Sequence, residues 1–425
     1  MRNALVVADD LTGAMDTGHG FAGRGRGVRV RRSVDGGRAD SDAGTDADVL
    51  VVDTDSRDAD NEAAAAAVAR AVEAYPAGLV YKKVDSTLRG NVAAEVDAAL
   101  AATGAALAVV APAFPATGRT TEGGRHLVDG TPLAEAGYGV AESDLREYVA
   151  GSEYPVAHLD GDTVDAGPAA VGEFLADRAA AERPPLVVCD ARTDDHLEAI
   201  AAGAASLDAT PLYVGSGGLA AQVALAGEPP GSSPDVSSDP RRSGVLAVVG
   251  SVNERTLAQL DAVDDEAVVA LDPAAAVGDP ESAGRAAAES LSALLDWRER
   301  AVVTAARSRE DVAAAERAAA DLAEDATAAD RIAADRVAAA LAAAARATVE
   351  ASPPAGLVLT GGDTAEAVLD ALDVAEIALT GESVAAGVPE GRIATGPAAG
   401  TRVVTKAGGF GGERVILNCL DTLGR

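Results

Sequence analysis

Lysine is almost missing from this chain. Of its 35 basic residues only Lys82, Lys83 and Lys406 are lysine, and the rest are arginine. Asp and Glu number 67, leaving a net charge of −32. That balance excludes nucleic acid and anionic membrane as partners, since both would be repelled. Carboxylates spread over every segment also read as adaptation to high salt, where screening removes surface self-repulsion. Cysteine is scarce too: Cys189 and Cys419 stand alone without CxxC spacing, which excludes a disulfide framework or a zinc site and points to a reducing compartment. No run approaches the about 18 apolar residues of a membrane span. Residues 1–8, MRNALVVA, lead straight into a strand pattern with no targeting signal, so the expectation is a cytoplasmic protein.

What is present argues for folding. Hydrophobic residues make up 48% of the chain, too many for acidic disorder. Its 425 residues exceed one ordinary core and predict two domains. Short apolar runs alternate with helical patterns: ALVVA (4–8), DVLVVD (48–53), LVYKKV (79–84), LAVVAPA (107–113) and LVVCD (186–190). Helices are predicted at Asn61–Ala74 and Asn91–Thr103. A second series follows with VLAVVG (245–250), AVVAL (267–271), AVVTA (301–305), GLVLTGG (356–362) and TRVVTKAGG (401–409). This alternation predicts an α/β protein of two domains, each a mostly parallel sheet flanked by helices. The Pro/Ser/Gly/Asp run at 227–243 reads as a linker between domains 1–226 and 244–425. Ala-rich residues 310–349 read as a scaffold helix with one break, and 114–165 as a long irregular stretch of the kind that carries function.

Three strand ends in the first half gather polar groups. VVADDLTGAMD (6–16) delivers Asp9 and Asp10 where open α/β sheets bind ligands, and one of the two acids is expected to cap the following helix. YKKVDSTLRGN (81–91) packs Lys82, Lys83, Asp85 and Arg89 into one turn, with strand alternation placing Lys83 and Asp85 on one side and Lys82 opposite, free to reach solvent. The segment at 111–136 offers Arg119, with His126 read as more often structural than functional. Gly18, Gly20 and Gly23 satisfy GxGxxG, but they fall inside a helical pattern and not in the turn after a strand, which argues against a dinucleotide-binding dehydrogenase.

In the second half three glycine-bearing turns follow strands, VVGSVNERT (248–256), LTGGDTAE (359–366) and TKAGGFGGE (405–413). Glycine lets backbone amides approach phosphate oxygens, and a helix N-terminus behind the turn adds a favourable field. None matches GxxxxGK[ST], so a nucleotide site here is not a P-loop.

Taken in order, ADDLTGAMD, KKVDSTLRGN, PAFPATGRTT with HLVDGTPL, LTGGDTAEAVL and TKAGGFG resemble the four-carbon acid sugar kinase family from residue 3 to about 417. The resemblance implies ATP-dependent phosphorylation of the terminal hydroxyl of an acid such as threonate, erythronate or 3-oxo-tetronate. It implies that the first domain holds the acid through Asp9, Asp10, Lys83, Asp85, Arg89 and Arg119. The second would hold ATP through Ser251, Gly361, Gly362, Asp363, Thr364 and Gly408. Phosphoryl transfer needs positioning, charge neutralisation and a proton acceptor, for which Asp363, Asp85 and Asp10 are the candidates in that order. Mg²⁺ is expected on the ATP phosphates. The scarce Lys83 and Lys406 are expected to face anions or to hold anion-binding turns. A kinase of another small polyol acid and a non-catalytic sensor of acid and ATP are the competing readings, and a homodimer is left open.

Overall fold

The computed structural model describes residues 2–33, 47–227 and 242–425. Two compact units result, Met1–Ser233 and Pro234–Arg425. Of the expected linker at 227–243, residues 228–241 lie outside the described residues.

The first unit contains β1 (Arg2–Ala8), β2 (Val28–Arg31), β3 (Val49–Asp53), β4 (Ala77–Lys83), β5 (Ala108–Ala111), β6 (Arg119–Glu122), β7 (Arg125–Val128), β8 (Thr131–Pro132), β9 (Val156–Leu159), β10 (Leu186–Cys189) and β11 (Leu212–Gly215). Its main sheet runs β2-β3-β1-β4-β11-β5-β10-β9 with every pairing parallel. Such strands are buried on both faces, which is why ALVVA and VLVVD are continuous apolar runs and not alternating ones. The chain leaves β1 for β2 and β3 on one side, then crosses to β4 on the other. The order therefore reverses between β1 and β4, the crevice where open α/β sheets place their ligands.

Helices α1 (Leu11–Ala22), α2 (Asn61–Ala74) and α3 (Val92–Thr103) cover this part of the sheet. Asp10 caps α1 by accepting the Gly13 amide at 3.0 Å. Gly18 and Gly20 lie inside α1 and Gly23 follows its end, so the GxGxxG pattern is no strand-to-helix turn. Asn91 precedes α3 but makes no side-chain cap; its amide instead donates to Ser56 O at 3.0 Å and Ala59 O at 2.9 Å, pinning the turn after β3. Part of the stretch expected to be irregular is ordered as a small antiparallel sheet, β6-β7-β8.

The second unit contains β12 (Val245–Val249), β13 (Val268–Ala270), β14 (Arg300–Thr304), β15 (Gly356–Thr360), β16 (Glu376–Ala385), β17 (Val388–Ile393) and β18 (Arg402–Lys406). Strands β13-β14-β12-β15-β18 are parallel, and β17 and β16 extend them as an antiparallel hairpin that the apolar runs did not announce. Here too the order reverses, between β12 and β15. The Ala-rich stretch forms two helices, Arg309–Ala320 and Ala326–Ala351, the second capped by Asp325 accepting from Ala328 N at 2.8 Å.

Candidate active site

At the reversal point of the first unit, β1 delivers Asp9 and Asp10 and β4 delivers Lys83. A residue that the motifs did not single out joins them. Arg57, on the turn after β3, places Nε 2.8 Å from Asp9 Oδ2 and Nη1 2.8 Å from Asp10 Oδ2, and Nη2 bonds the other oxygen of each acid at 3.1 and 2.7 Å. The turn is held in register by the Ser56 and Arg57 amides, which donate to Asp9 O at 3.1 and 3.3 Å. Thr54 Oγ1 donates to Ala8 O at 2.8 Å and lies 2.8 Å from Ser56 Oγ. The Asp-rich DTDSRD at a strand end adjoining β1 was the available signal.

Asp85 lies past the end of β4, so a turn and not strand alternation sets its direction. It accepts from Thr87 Oγ1 at 2.5 Å and from Arg89 Nε at 2.6 Å. Burial works against ionising Asp9 and Asp85, but Arg57 leads the cations that outweigh it, and both carboxyls are held below their ordinary range. Arg57 in turn is held well above the ordinary arginine value: burial opposes its charge, and Asp10, Asp9 and Asp85 more than compensate.

Lys83 is 4% exposed. Its Nζ reaches the start of α1, where a Cβ on Gly13 would sit 2.5 Å from both Lys83 Nζ and Asp10 Oδ1. Among the described residues this ammonium makes no hydrogen bond and no ion pair. Lys82 does not reach solvent as alternation suggested. It is fully buried, 3.1 Å from Glu95 Oε2 of α3, and it donates to Lys83 O at 2.7 Å. The sheet is covered on both faces, so the side opposite Lys83 is α3 and not water.

Arg119 opens β6. Its guanidinium bonds Thr117 O and Tyr138 Oη, the latter at 3.1 Å. His126 is fully buried with Nδ1 3.0 Å from Thr121 Oγ1 and Nε2 2.8 Å from Ser86 O, a structural placement. Burial lowers its pKa, which favours the neutral ring.

In the second unit the three glycine turns meet at the reversal between β12 and β15. Gly361 has φ +94°, open to glycine and costly for other residues, and a Cβ on it would lie 3.2 Å from Ser251 N. It precedes helix Gly362–Ala371, whose start carries no side-chain cap and whose first turn holds Asp363, exposed, and Thr364, buried. Backbone amides left free at such a start suit phosphate oxygens. Gly408 packs so closely on this turn that a Cβ would lie 2.3 Å from Ser251 Oγ. Lys406 is spent on the same loop: Nζ donates to Ala407 O at 3.0 Å, Gly408 O at 3.3 Å and Phe410 O at 3.4 Å. Thr256 Oγ1 donates to Gly408 O at 2.8 Å, and Gln259 Nε2 to Phe410 O, Gly411 O and Gly412 O at 3.1, 3.2 and 3.1 Å. Among the described residues no group of three or more His, Cys, Asp or Glu side chains could hold a metal, and no helix is long and apolar enough to cross a membrane.

Comparison with known proteins places both units. Residues 4–223 match the sugar-binding N-terminal domain family, and residues 246–416 match the nucleotide-binding C-terminal domain family. The chain is 36% identical to a D-threonate kinase of Cupriavidus necator, covering 97% of this chain and 96% of that protein. It is 33% identical to a D-erythronate kinase of Heliobacterium modesticaldum, covering 100% and 97%. Among solved structures, a chain from Salmonella typhimurium described as a putative tRNA synthase shares the fold with TM-score 0.79 at 23% identity, covering 98% of each chain.

Proposed function

The chain belongs to the two-domain, ATP-dependent four-carbon acid sugar kinase family, and we propose that it transfers the γ-phosphoryl group of ATP to the terminal hydroxyl of a four-carbon sugar acid of the threonate, erythronate or 3-oxo-tetronate type. We assign the acid to residues 1–226 and ATP to residues 244–425.

One observation carries the reading: the two order reversals hold opposite kinds of site. The first gathers Asp9, Asp10, Lys83, Asp85 and Arg89 around Arg57, a mixture of fixed cations for a carboxylate and fixed acceptors for hydroxyls. Lys83, whose ammonium makes no hydrogen bond and no ion pair among the described residues and feels the fields of Asp9, Asp16 and Asp85, is the cation left for the substrate. Arg119, held by Thr117 and Tyr138, serves the acid from β6. The second reversal offers the amides and hydroxyls of Ser251, Gly361, Gly362, Thr364 and Gly408 with the exposed carboxylate of Asp363, while its cations Lys406 and Arg255 bond the carbonyls of the 407–410 loop. Mg²⁺ fits this donor set, since it keeps several waters and takes most of its oxygens from phosphates, with Asp363 the carboxylate offered on that turn. When bound it neutralises and aligns the phosphate oxygens.

An ADP-release assay over a panel of four- and five-carbon sugar acids tests the reading. ADP formation that requires both Mg²⁺ and a four-carbon acid supports it. Equal turnover with and without acid would overturn it, as would oxidation of the acid by NAD(P)⁺ with no ATP consumed.

A further inference from the structure

The proposed transfer leaves a proton to be taken from the attacking hydroxyl, and the carboxylates nearest the Arg57 cluster are poorly suited to take it. Asp9 and Asp10 are both clamped by Arg57. Asp85 is bonded by Arg89 and Thr87. Asp9 and Asp85 are thereby weak bases, because the cations that hold them would be left facing a neutral acid, and Asp10 is already committed to the Gly13 amide at the start of α1.

Asp16 is different. It lies on α1 three residues after Gly13, so it shares the helix face that Lys83 Nζ approaches. It is 8% exposed, and among the described residues its side chain makes no hydrogen bond and no ion pair. Its Oδ2 is pressed against the start of the short helix Gly217–Ala220 after β11, 2.4 Å from where a Cβ of Gly217 would be; that Cβ would also lie 3.1 Å from the Phe114 ring. The charged or titratable groups that face it are Lys83 at the end of β4, Asp10 at the start of its own helix and Tyr81 within β4; Gly217 and Phe114 bring none. Tyr81 is occupied, donating to Ser216 O at 2.6 Å. Among the described residues, a buried carboxylate without hydrogen-bond donors and a buried ammonium without acceptors thus lie along one helix face, one turn apart, at the carboxyl ends of β4 and β11.

Resting on the kinase reading above, we infer that Asp16 is the proton acceptor of the reaction and that the hydroxyl to be phosphorylated sits between Asp16 and Lys83. In the step, the hydroxyl oxygen forms a bond to the γ-phosphorus and its O–H bond breaks toward Asp16. The bond from the γ-phosphorus to the bridging oxygen breaks with its electron pair leaving on ADP. The proton passes from Asp16 to solvent after product leaves. Burial pushes the Asp16 carboxyl up to about 6, with Asp10 adding and Lys83 opposing, which brings a carboxylate close to the working range of a general base.

The test is Asp16→Asn and Asp16→Glu in the full chain, assayed for acid-dependent ADP release from pH 5 to 9. Asp16→Asn is expected to lower kcat by at least ~100-fold while KM for the acid stays within about threefold. The wild-type log kcat/KM should rise with a midpoint near 6, and that limb should vanish from the residual rate of Asp16→Asn; the ionisation of ATP, common to both proteins, cancels in the comparison. Asp16→Glu should keep the limb and shift its midpoint. A folded Asp16→Asn within about fivefold of wild-type kcat, or one that keeps the limb, overturns the assignment. Should Asp16→Asn not fold, an unshifted limb in Asp16→Glu overturns it equally. An inactive wild type defeats the kinase reading instead, so the two failures are distinguishable.

Discussion

The pair beneath the site gives the sharpest stability prediction. Lys82 is fully buried and Glu95 is 1% exposed, with Nζ 3.1 Å from Oε2. At an effective dielectric of about 20 their attraction is about 5 kcal/mol, set against a desolvation cost of several kcal/mol for each ion. The pair therefore adds little net stability, yet removing one member strands the other. Glu95→Gln should cost about 3–5 kcal/mol, a fall of roughly 10 °C in Tm for a unit of this size. Lys82→Met combined with Glu95→Gln should recover to within about 1–2 kcal/mol of wild type, because the glutamine amide oxygen still accepts from Ser56 Oγ, now 2.6 Å from Glu95 Oε1. Far-UV circular dichroism melts in molar KCl read the effect, since a buried pair is screened little by salt. A single Glu95→Gln within about 1 kcal/mol of wild type would refute the reasoning, as would a double variant no better than the single. Because Ser56 precedes Arg57, the single variant should also raise KM for the acid.

Three further outcomes follow from the same geometry. Lys83→Arg and Lys406→Arg, which preserve charge, should each lower kcat/KM at least ~tenfold, about 1.4 kcal/mol, because a planar fork cannot replace a point charge at Gly13 or three converging carbonyl bonds in the loop; steady-state kinetics on folded variants checks this. Asp16 titrates near 6 when folded against 3.8 in its unperturbed state, so its ionisation weakens the fold as pH rises through that window; Asp16→Asn should therefore gain up to about 3 kcal/mol at pH 8 and less at pH 5, read as a pH-dependent difference in Tm. With a net charge of −32, Tm should fall as KCl drops from molar levels to ~0.1 M, and a constant Tm would contradict a salt-adapted surface.

What the sequence disclosed was what local pattern controls. Lys83 ends β4, and Asp9, Asp10, Asp85 and Arg89 sit in the turns that follow apolar runs, so the runs alone place them at strand ends. The second unit's turns were legible for the same reason, as glycine after a strand marks close backbone approach. Arg57 and Asp16 were not legible, because each owes its place to distant pairing. Arg57 reaches Asp9 and Asp10 only because β3 lies parallel beside β1. Asp16 is distinguished by a side chain that lacks partners among the described residues once α1 packs on β4 and on the short helix Gly217–Ala220 after β11, contacts that no local pattern announces. Lys82 was sent outward by strand alternation, a rule that fails when helices cover both faces of a sheet. The hairpin β16–β17 carries no long apolar run, since TGES interrupts EIALTGESVA and EGR interrupts VPEGRI, a pattern unlike the parallel strands beside it.

Identification of the phosphorylated product tests the central claim most directly. After turnover with ATP and the best four-carbon acid, ³¹P–¹H correlation NMR should show one new phosphate ester coupled to the protons of the terminal carbon, in equal amount to ADP. Inorganic phosphate without an ester would contradict the account, and so would a phosphate carried on the acid's carboxyl group.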